Sequence, residues 1–519
     1  MSFQNINLTK KFIYILSFIT FIYQLILFDS IDDFICILTI FISMIFTTYY
    51  CFNDKYFFDY PISLSVIFVS HFINLGGALF LKSFELTPIT DQLRLPVSTI
   101  SNLALFNLLI ILSHVFYRNI SAFSRFQIYL RKFFVKLDFF NDKNQKFLYI
   151  LTIIAITTRI LYLDLDTPIE MQIQRGVEGP SIIQDLFNGL RFLIFLPVII
   201  FFSNYLYQND FDKKKNIFFF IFIIFIIFLS ISRNSRSLLF DTIFLTGIIF
   251  FLLFLFDKIK SSRALFIKFI LFIVLLVPTF NFFETLSSKY LIERSFYLHR
   301  SPIDNVKTFF SNVYNSNNLS YVKGSAKISE SDSLFRENFY NNLILNRVNI
   351  LLVHDNFNYI NEYLNQRQKD NLKKLQINKI ISILPQPIIK IFNNSFNKSD
   401  YNKYSTASYL YGKFDYERGN MAIGSAIMTV FIMFGKWTYF LFLFIFIPFF
   451  IIFDSFYISE SKKFSPYILI FLYSTYFGIL NFFVASDISY WFALSFRHIP
   501  ETLVMIVIIQ YFYKKFFTK

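Results

Sequence analysis

Cysteine is scarce in this chain, and the two copies present cannot pair. Cys36 and Cys51 fall at opposite ends of one predicted helix, roughly 22 Å apart at 1.5 Å per residue. A disulfide framework and a cysteine metal site are thereby excluded. Only 12 of the 519 residues are glycine, and none builds the glycine-rich loop that cradles nucleotide phosphates. No internal repeat is visible, and no basic and aromatic surface suited to nucleic acid stands out. Charge is sparse as well: 16% of residues are charged against 55% apolar and 21% aromatic, with a mean hydropathy of +0.51. One soluble core cannot hide that much apolar surface, and the apolar residues come in runs instead of at amphipathic spacing. The fold class expected is an all-α polytopic membrane protein. The bias towards Phe, Ile, Asn, Lys and Tyr fits an A+T-rich genome, so Phe-rich helices and Lys-rich loops carry little information. Arginine carries more.

A crossing needs about 20 apolar residues. Nine runs are read as spans before a long polar stretch: 12–28, 34–52, 60–81, 96–117, 147–163, 183–207, 216–231, 237–256 and 264–282. The first has no small-residue cleavage site and is followed at once by another span, so an anchor is expected and not a removed signal peptide. Short loops set the orientation. Residues 118–146 hold seven Lys/Arg against two acids, 213–215 are KKK, and 257–263 hold Lys258, Lys260 and Arg263. The alternate loops, DSIDD at 29–33 and 164–180, are acidic or mixed. The positive-inside rule then puts the N-terminus in the cytoplasm. Residues 283 to about 419 become one long outer block, whose runs 341–364 and 370–392 predict short amphipathic helices lying on the bilayer surface.

Segment 421–434 has two readings. If it crosses, the terminal KKFFTK and the ESKKF at 460–464 both end outside, against the charge rule. If it re-enters from the outer leaflet, spans 437–453, 465–485 and 499–513 follow, both basic segments fall inside, and the total is twelve. The second reading is preferred. The organisation expected is a nine-span membrane domain (1–282), a large outer loop domain with amphipathic helices and the re-entrant segment (283–435), and a three-span membrane domain (436–519). Both termini are then cytoplasmic.

SRNSR at 232–236 interrupts two apolar runs on the outer side. An arginine at a helix end snorkels to the interface without further purpose. The wider pattern argues for more. Of 17 arginines only Arg118, Arg125, Arg131 and Arg263 lie in cytoplasmic loops. The others, including Arg159, Arg175, Arg191, Arg233 and Arg236, are outside or at the outer interface. Guanidinium forks two donors onto phosphate or carboxylate, so such a ring at the lipid surface suits an anionic lipid-linked substrate such as a polyprenyl diphosphate. Arg336 and Arg367 are read as solvated loop surface.

In layout the chain resembles the O-antigen (Wzy-type), or oligosaccharide repeat-unit, polymerases, relatives of the O-antigen ligases. The resemblance rests on about a dozen spans with a large outer loop before the last three. It rests also on Ser-Arg-Ser at 235–237 opening a helix after an outer turn, on Arg175 early in an outer loop, and on Arg347 followed by a helical stretch and then ILPQPIIK at 383–390. The pair Phe434-Gly435 stands before a span, as in many members. Many relatives have Pro-Arg in the proline segment where this chain has Pro385-Gln386, which weakens the case for a direct phosphate role there.

The resemblance implies periplasmic glycosyl transfer in the bacterial inner membrane, from a glycan on undecaprenyl diphosphate to the sugar end of another lipid-linked repeat unit. It also implies membrane lipid, a flippase and a chain-length regulator as partners. The leaving diphosphate needs positive charge, which Arg236, Arg175, Arg300 and Arg347 are expected to supply without metal or cofactor. Arg233, Arg159, Arg294 and Arg418 are the expected substrate-binding arginines. The acceptor hydroxyl needs a base, with Glu178, His354, Glu293, His299 and Glu417 as candidates. His354 lies seven residues after Arg347, on the same face if that stretch is helical. His71 and His114 fall within spans and are expected to pack against other helices. Alternatives are an O-antigen ligase, another polyprenyl-linked sugar glycosyltransferase using DSIDD (Asp29, Asp32, Asp33) as its acidic first loop, and a lipid-linked oligosaccharide flippase. The apolar middles of most spans and the large outer domain argue against a transporter.

Overall fold

The structure, a computed structural model, describes residues 4–140, 145–161, 191–207, 213–232, 237–258, 351–384, 386–398, 406–411, 424–465 and 488–517, with residues 307, 349, 401 and 467. The described residues are mostly helical; their strands are a two-residue pair, Tyr457–Ile458 against Lys463–Phe464. Six described helices are long and apolar enough to cross a membrane: Gln4–Leu27, Ile31–Cys51, Pro61–Phe84, Pro96–Asn119, Trp437–Asp454 and Trp491–Phe516. Shorter apolar helices lie at Lys146–Thr158, Leu193–Phe202, Ile217–Ser230 and Leu245–Leu255. Helix is thus present at ten of the twelve expected spans; of the other two, 264–282 and all of 465–485 but residues 465 and 467 lie outside the described residues. Cys36 and Cys51 are both free and buried on helix 31–51.

The first helix shows why the bundle belongs in lipid. Its buried face carries Asn5, Thr9, Ser17, Thr20 and Gln24, while Leu8, Phe12, Ile15, Phe18, Ile19, Ile22 and Ile26 are exposed. That is the reverse of a soluble helix and the pattern of a helix whose solvent is hydrocarbon. The third helix is the central one: 72% of its apolar window is buried, against 22% for the first. Phenylalanine supplies much of the packing, as where Phe106 meets Phe442 at 4.9 Å and Phe431 at 6.4 Å between ring centroids.

The loops sort onto two ends of the bundle. At one end Asn5 bonds Asp257 and the Phe254 carbonyl, Phe256 packs on Phe464, Lys462 covers the Phe58 ring, the Ser465 hydroxyl donates to the Phe139 carbonyl, and Lys514 pairs with Asp138. At the other end Gln24 bridges Thr87 and Ile89, and Thr90 donates to Asp33. Both chain ends therefore share the first end, together with the loops richest in Lys and Arg. Its interior is tied by a buried chain. Ser63 donates to the Asp454 carboxylate at 2.6 Å, His114 Nε2 lies 2.9 Å from Ser63 Oγ, and Tyr50 Oη lies 2.8 Å from His114 Nδ1. Four helices are joined by these contacts.

Helix 426–434 has nine residues, about 13 Å at 1.5 Å per residue and too short to cross. It ends at Gly435, whose φ of +52° and ψ of −131° only glycine adopts readily. The chain turns back at once, and the Thr438 hydroxyl donates to the Val430 carbonyl at 3.0 Å. Helices 426–434 and 437–454 therefore form a hairpin, the geometry expected of a re-entrant segment.

Candidate functional site

Helix 351–363 is the unexpected element. Eight of the ten residues from Leu351 to Ile360 are buried, polar and apolar alike. Residues expected on the bilayer surface are instead inside the bundle, which corrects the surface-helix reading of 341–364. The reason is that its polar residues find partners about 260 positions away in sequence. The Asp355 carboxylate accepts from the Arg94 N–H at 2.6 Å, the Leu95 N–H at 2.9 Å and the Thr99 hydroxyl at 2.9 Å. It caps the start of helix 96–119, whose first N–H groups have no intrahelical acceptor and which carries no capping side chain of its own. Asn358 donates to the hydroxyls of Ser98 and Thr99. Burial pushes the Asp355 carboxyl above the ordinary carboxylate range, and these hydrogen bonds oppose that shift. Arg94 completes the contact with its guanidinium 4.5 Å from the Tyr359 ring centre.

The deep end of the helix reaches a turn of π-helix. Phe72–Gly76 widens the helix Pro61–Phe84 near its middle, and Asn349 donates to the Ile73 carbonyl at 2.7 Å. A second Asn349 contact, to the Asn74 carbonyl, is 3.4 Å. Asn349 also accepts from the Leu351 N–H, beginning the helix. Because Asn349 sits level with the middle of a membrane-length helix, segment 349–363 runs from the bundle's interior out to Arg94. Backbone at such depth is tolerated only when packed in protein, as here. The same layer holds Ser43 against His71 at 3.2 Å and Asn107 against Thr47 at 2.7 Å. Three helices are thus exceptions to the apolar middles expected of most spans, with Ser43, Thr47, His71, Asn74 and Asn107 pointing inward.

His354 lies one turn above Leu351, fully buried, with Nδ1 2.6 Å from Ser425 Oγ. Ser425 in turn accepts from the Met428 N–H and so caps helix 426–434. Among the described residues His354 Nε2 has no hydrogen-bond partner. When Nδ1–H donates to Ser425, Nε2 presents a lone pair; the choice of tautomer thus decides whether this atom accepts or gives a proton. Of the base candidates, His354 alone falls among the described residues, and it is not on a surface helix. Arg347, expected to share a helical face with His354, lies outside the described residues.

Arg236, Arg175, Arg347, Arg300, Glu178, Arg233, Arg294, Arg418, Glu293, His299 and Glu417 lie outside the described residues. Arg159 falls on helix Gln145–Leu161. His71 and His114 are buried against other helices, as expected. Asp33 of DSIDD is occupied as a cap: its carboxylate takes the N–H groups of Asp29 and Ser30 at 3.1 Å each, the Ser30 hydroxyl and Thr90. That role leaves it poorly placed as a metal ligand for the acidic-loop reading. Two residues escaped the sequence reading, Asp355 and Arg94. The signal for Asp355 was faint: one of two carboxylates, with Glu362, on a helix with few charges, whose partner precedes Pro96 in QLRLP. No protein-family model matches the chain, and neither does any curated protein or solved structure.

Proposed function

We propose that the chain is a membrane glycosyltransferase that joins oligosaccharide repeat units carried on polyprenyl diphosphate, as O-antigen polymerases do. With the Lys/Arg-rich end of the bundle in the cytoplasm, the end bearing Arg94, Asp355 and Tyr359 faces the periplasm of a bacterial inner membrane. The observation that carries the reading is helix 351–363. A piece of the long polar stretch enters the bundle from that end and buries an imidazole with one nitrogen unpartnered among the described residues. Transfer to a sugar hydroxyl needs a neutral base, and a lipid carrier needs the site within reach of the membrane.

In this reading His354 Nε2 takes the proton of the acceptor hydroxyl while that oxygen attacks the anomeric carbon. The bond from that carbon to the diphosphate breaks, and polyprenyl diphosphate leaves with the electron pair. Arg236, Arg175, Arg300 and Arg347 stabilise the leaving charge, and Arg233, Arg159, Arg294 and Arg418 gather the substrate. His354 is shut in, so the acceptor reaches it only when helix 351–363 and Ser425 part. A second reading, a lipid-linked oligosaccharide transporter, draws support from the polar layer of Ser43, His71, Asn107 and Asn349 at mid-bundle.

The test is glycan length in cells. Arg236→Lys keeps charge but loses the fork, so it should reduce ladders nearly as much as Arg236→Ala, whereas Arg233→Lys should be mild. Normal ladders from Arg236→Ala at wild-type abundance would remove the arginine clamp from the mechanism.

A further inference from the structure

The helix Ser121–Lys136 takes no part in the site above. It follows helix 96–119 through Ile120, whose ψ of 112° turns the chain off the bundle axis. It is then pinned across the bundle's Lys/Arg-rich end. Gln127 Nε2 donates to the Asp454 carbonyl at 3.1 Å, the Ser455 hydroxyl donates to the Gln127 carbonyl, and Phe134 stacks on Phe456 at 4.3 Å. Gln127 and Phe134 are its buried residues.

The rest of its surface is divided into stripes. Phe126, Tyr129 and Phe133 are 59%, 69% and 53% exposed and fall on one line at helical spacing. Arg125, Lys132 and Lys136, also exposed, form a second line about 60° further round at 100° per residue. The sequence SAFSRFQIYLRKFFVK contains no acid. Three large aromatics left in water would be costly, and Lys and Arg beside them at the end of a membrane-length helix stand at headgroup level.

We propose that helix 121–136 is an interfacial anchor. Its aromatic line sits at the acyl boundary, and Arg125, Lys132 and Lys136 bind the phosphates of anionic phospholipid headgroups in the leaflet at this end. The occupant is lipid because the pinned helix lies where the bundle leaves the membrane, and because the stripe pairs aromatic with cationic residues in the order that depth in a bilayer requires.

The test titrates dioleoylphosphatidylglycerol or dioleoylphosphatidylcholine into the full chain purified in neutral detergent and follows thermal unfolding. The phosphatidylglycerol midpoint should lie well below that of phosphatidylcholine. The triple variant Arg125→Gln/Lys132→Gln/Lys136→Gln should need roughly 100-fold more phosphatidylglycerol, about fivefold per cation, with the phosphatidylcholine curve unmoved. An unchanged midpoint, or equal action of the two lipids on the wild type, would leave only a solvated basic face. Raising salt on the unmodified chain gives a reading that needs no variant: the phosphatidylglycerol midpoint should rise several-fold as the Debye length shortens. A midpoint indifferent to salt would overturn the headgroup contact.

Discussion

Asp355 is the residue on which the insertion of helix 351–363 depends, and its removal should be severe. Asp355→Ala strips the acceptor from two backbone N–H groups, those of Arg94 and Leu95, and from the Thr99 hydroxyl. Each buried N–H left unsatisfied costs about 1–3 kcal/mol. The hydroxyl loses its acceptor too, at about 1 kcal/mol. Set against this is the relief of a carboxylate that burial already disfavours, so a net loss of about 2–4 kcal/mol is expected. Asp355→Asn keeps one acceptor oxygen and should lose about half as much. The assay is a denaturant titration in detergent micelles, with Asp370→Ala as control, since Asp370 is exposed and, among the described residues, accepts a hydrogen bond from Gln366 alone. Pairing Asp355→Ala with Thr99→Val in a double-mutant cycle should return a coupling of about 1 kcal/mol or more. An Asp355→Ala protein within about 0.5 kcal/mol of wild type, or additive with Thr99→Val, would refute the capping argument.

Two further outcomes are expected. Gly435→Ala should cost about 1–3 kcal/mol from backbone strain alone, because its φ is positive and a Cβ there meets nothing within 4 Å. Gly247→Ala, equally unobstructed on helix 237–255, should be neutral or slightly stabilising, and similar effects at both glycines would show that the turn is not strained. Ser63→Ala should destabilise by about 1–3 kcal/mol by leaving Asp454 and His114 short of a partner, and a neutral result in the same titration would dissolve the proposed chain through Ser63.

Six of the expected spans were legible because a run of apolar residues at membrane length admits few other structures. Pro61 and Pro96 each open their helices at the boundaries their sequence suggests. The placement of helix 351–363 was not legible. LLVHDNFNYI has the same period whether its polar residues meet water or protein, and what decides is a row of unpaired N–H groups at Leu95 that no local pattern reveals. The π-helical turn at Phe72–Gly76 was equally hidden, since its sequence, FINLG, reads as ordinary span. Nor could composition show that Asn107 and Thr47 face each other inside the bundle, because each alone is a polar residue that a wide apolar helix tolerates.

Glycosyl transfer is tested with the full chain purified into liposomes and supplied with polyprenyl-diphosphate-linked repeat units. Glycan length and free polyprenyl diphosphate are measured together. Elongation is expected with one polyprenyl diphosphate released per linkage formed, abolished by His354→Gln in protein that is folded and inserted. Movement of the intact lipid-linked unit across the bilayer, with no elongation and no diphosphate release, would contradict it and assign the buried polar layer to transport.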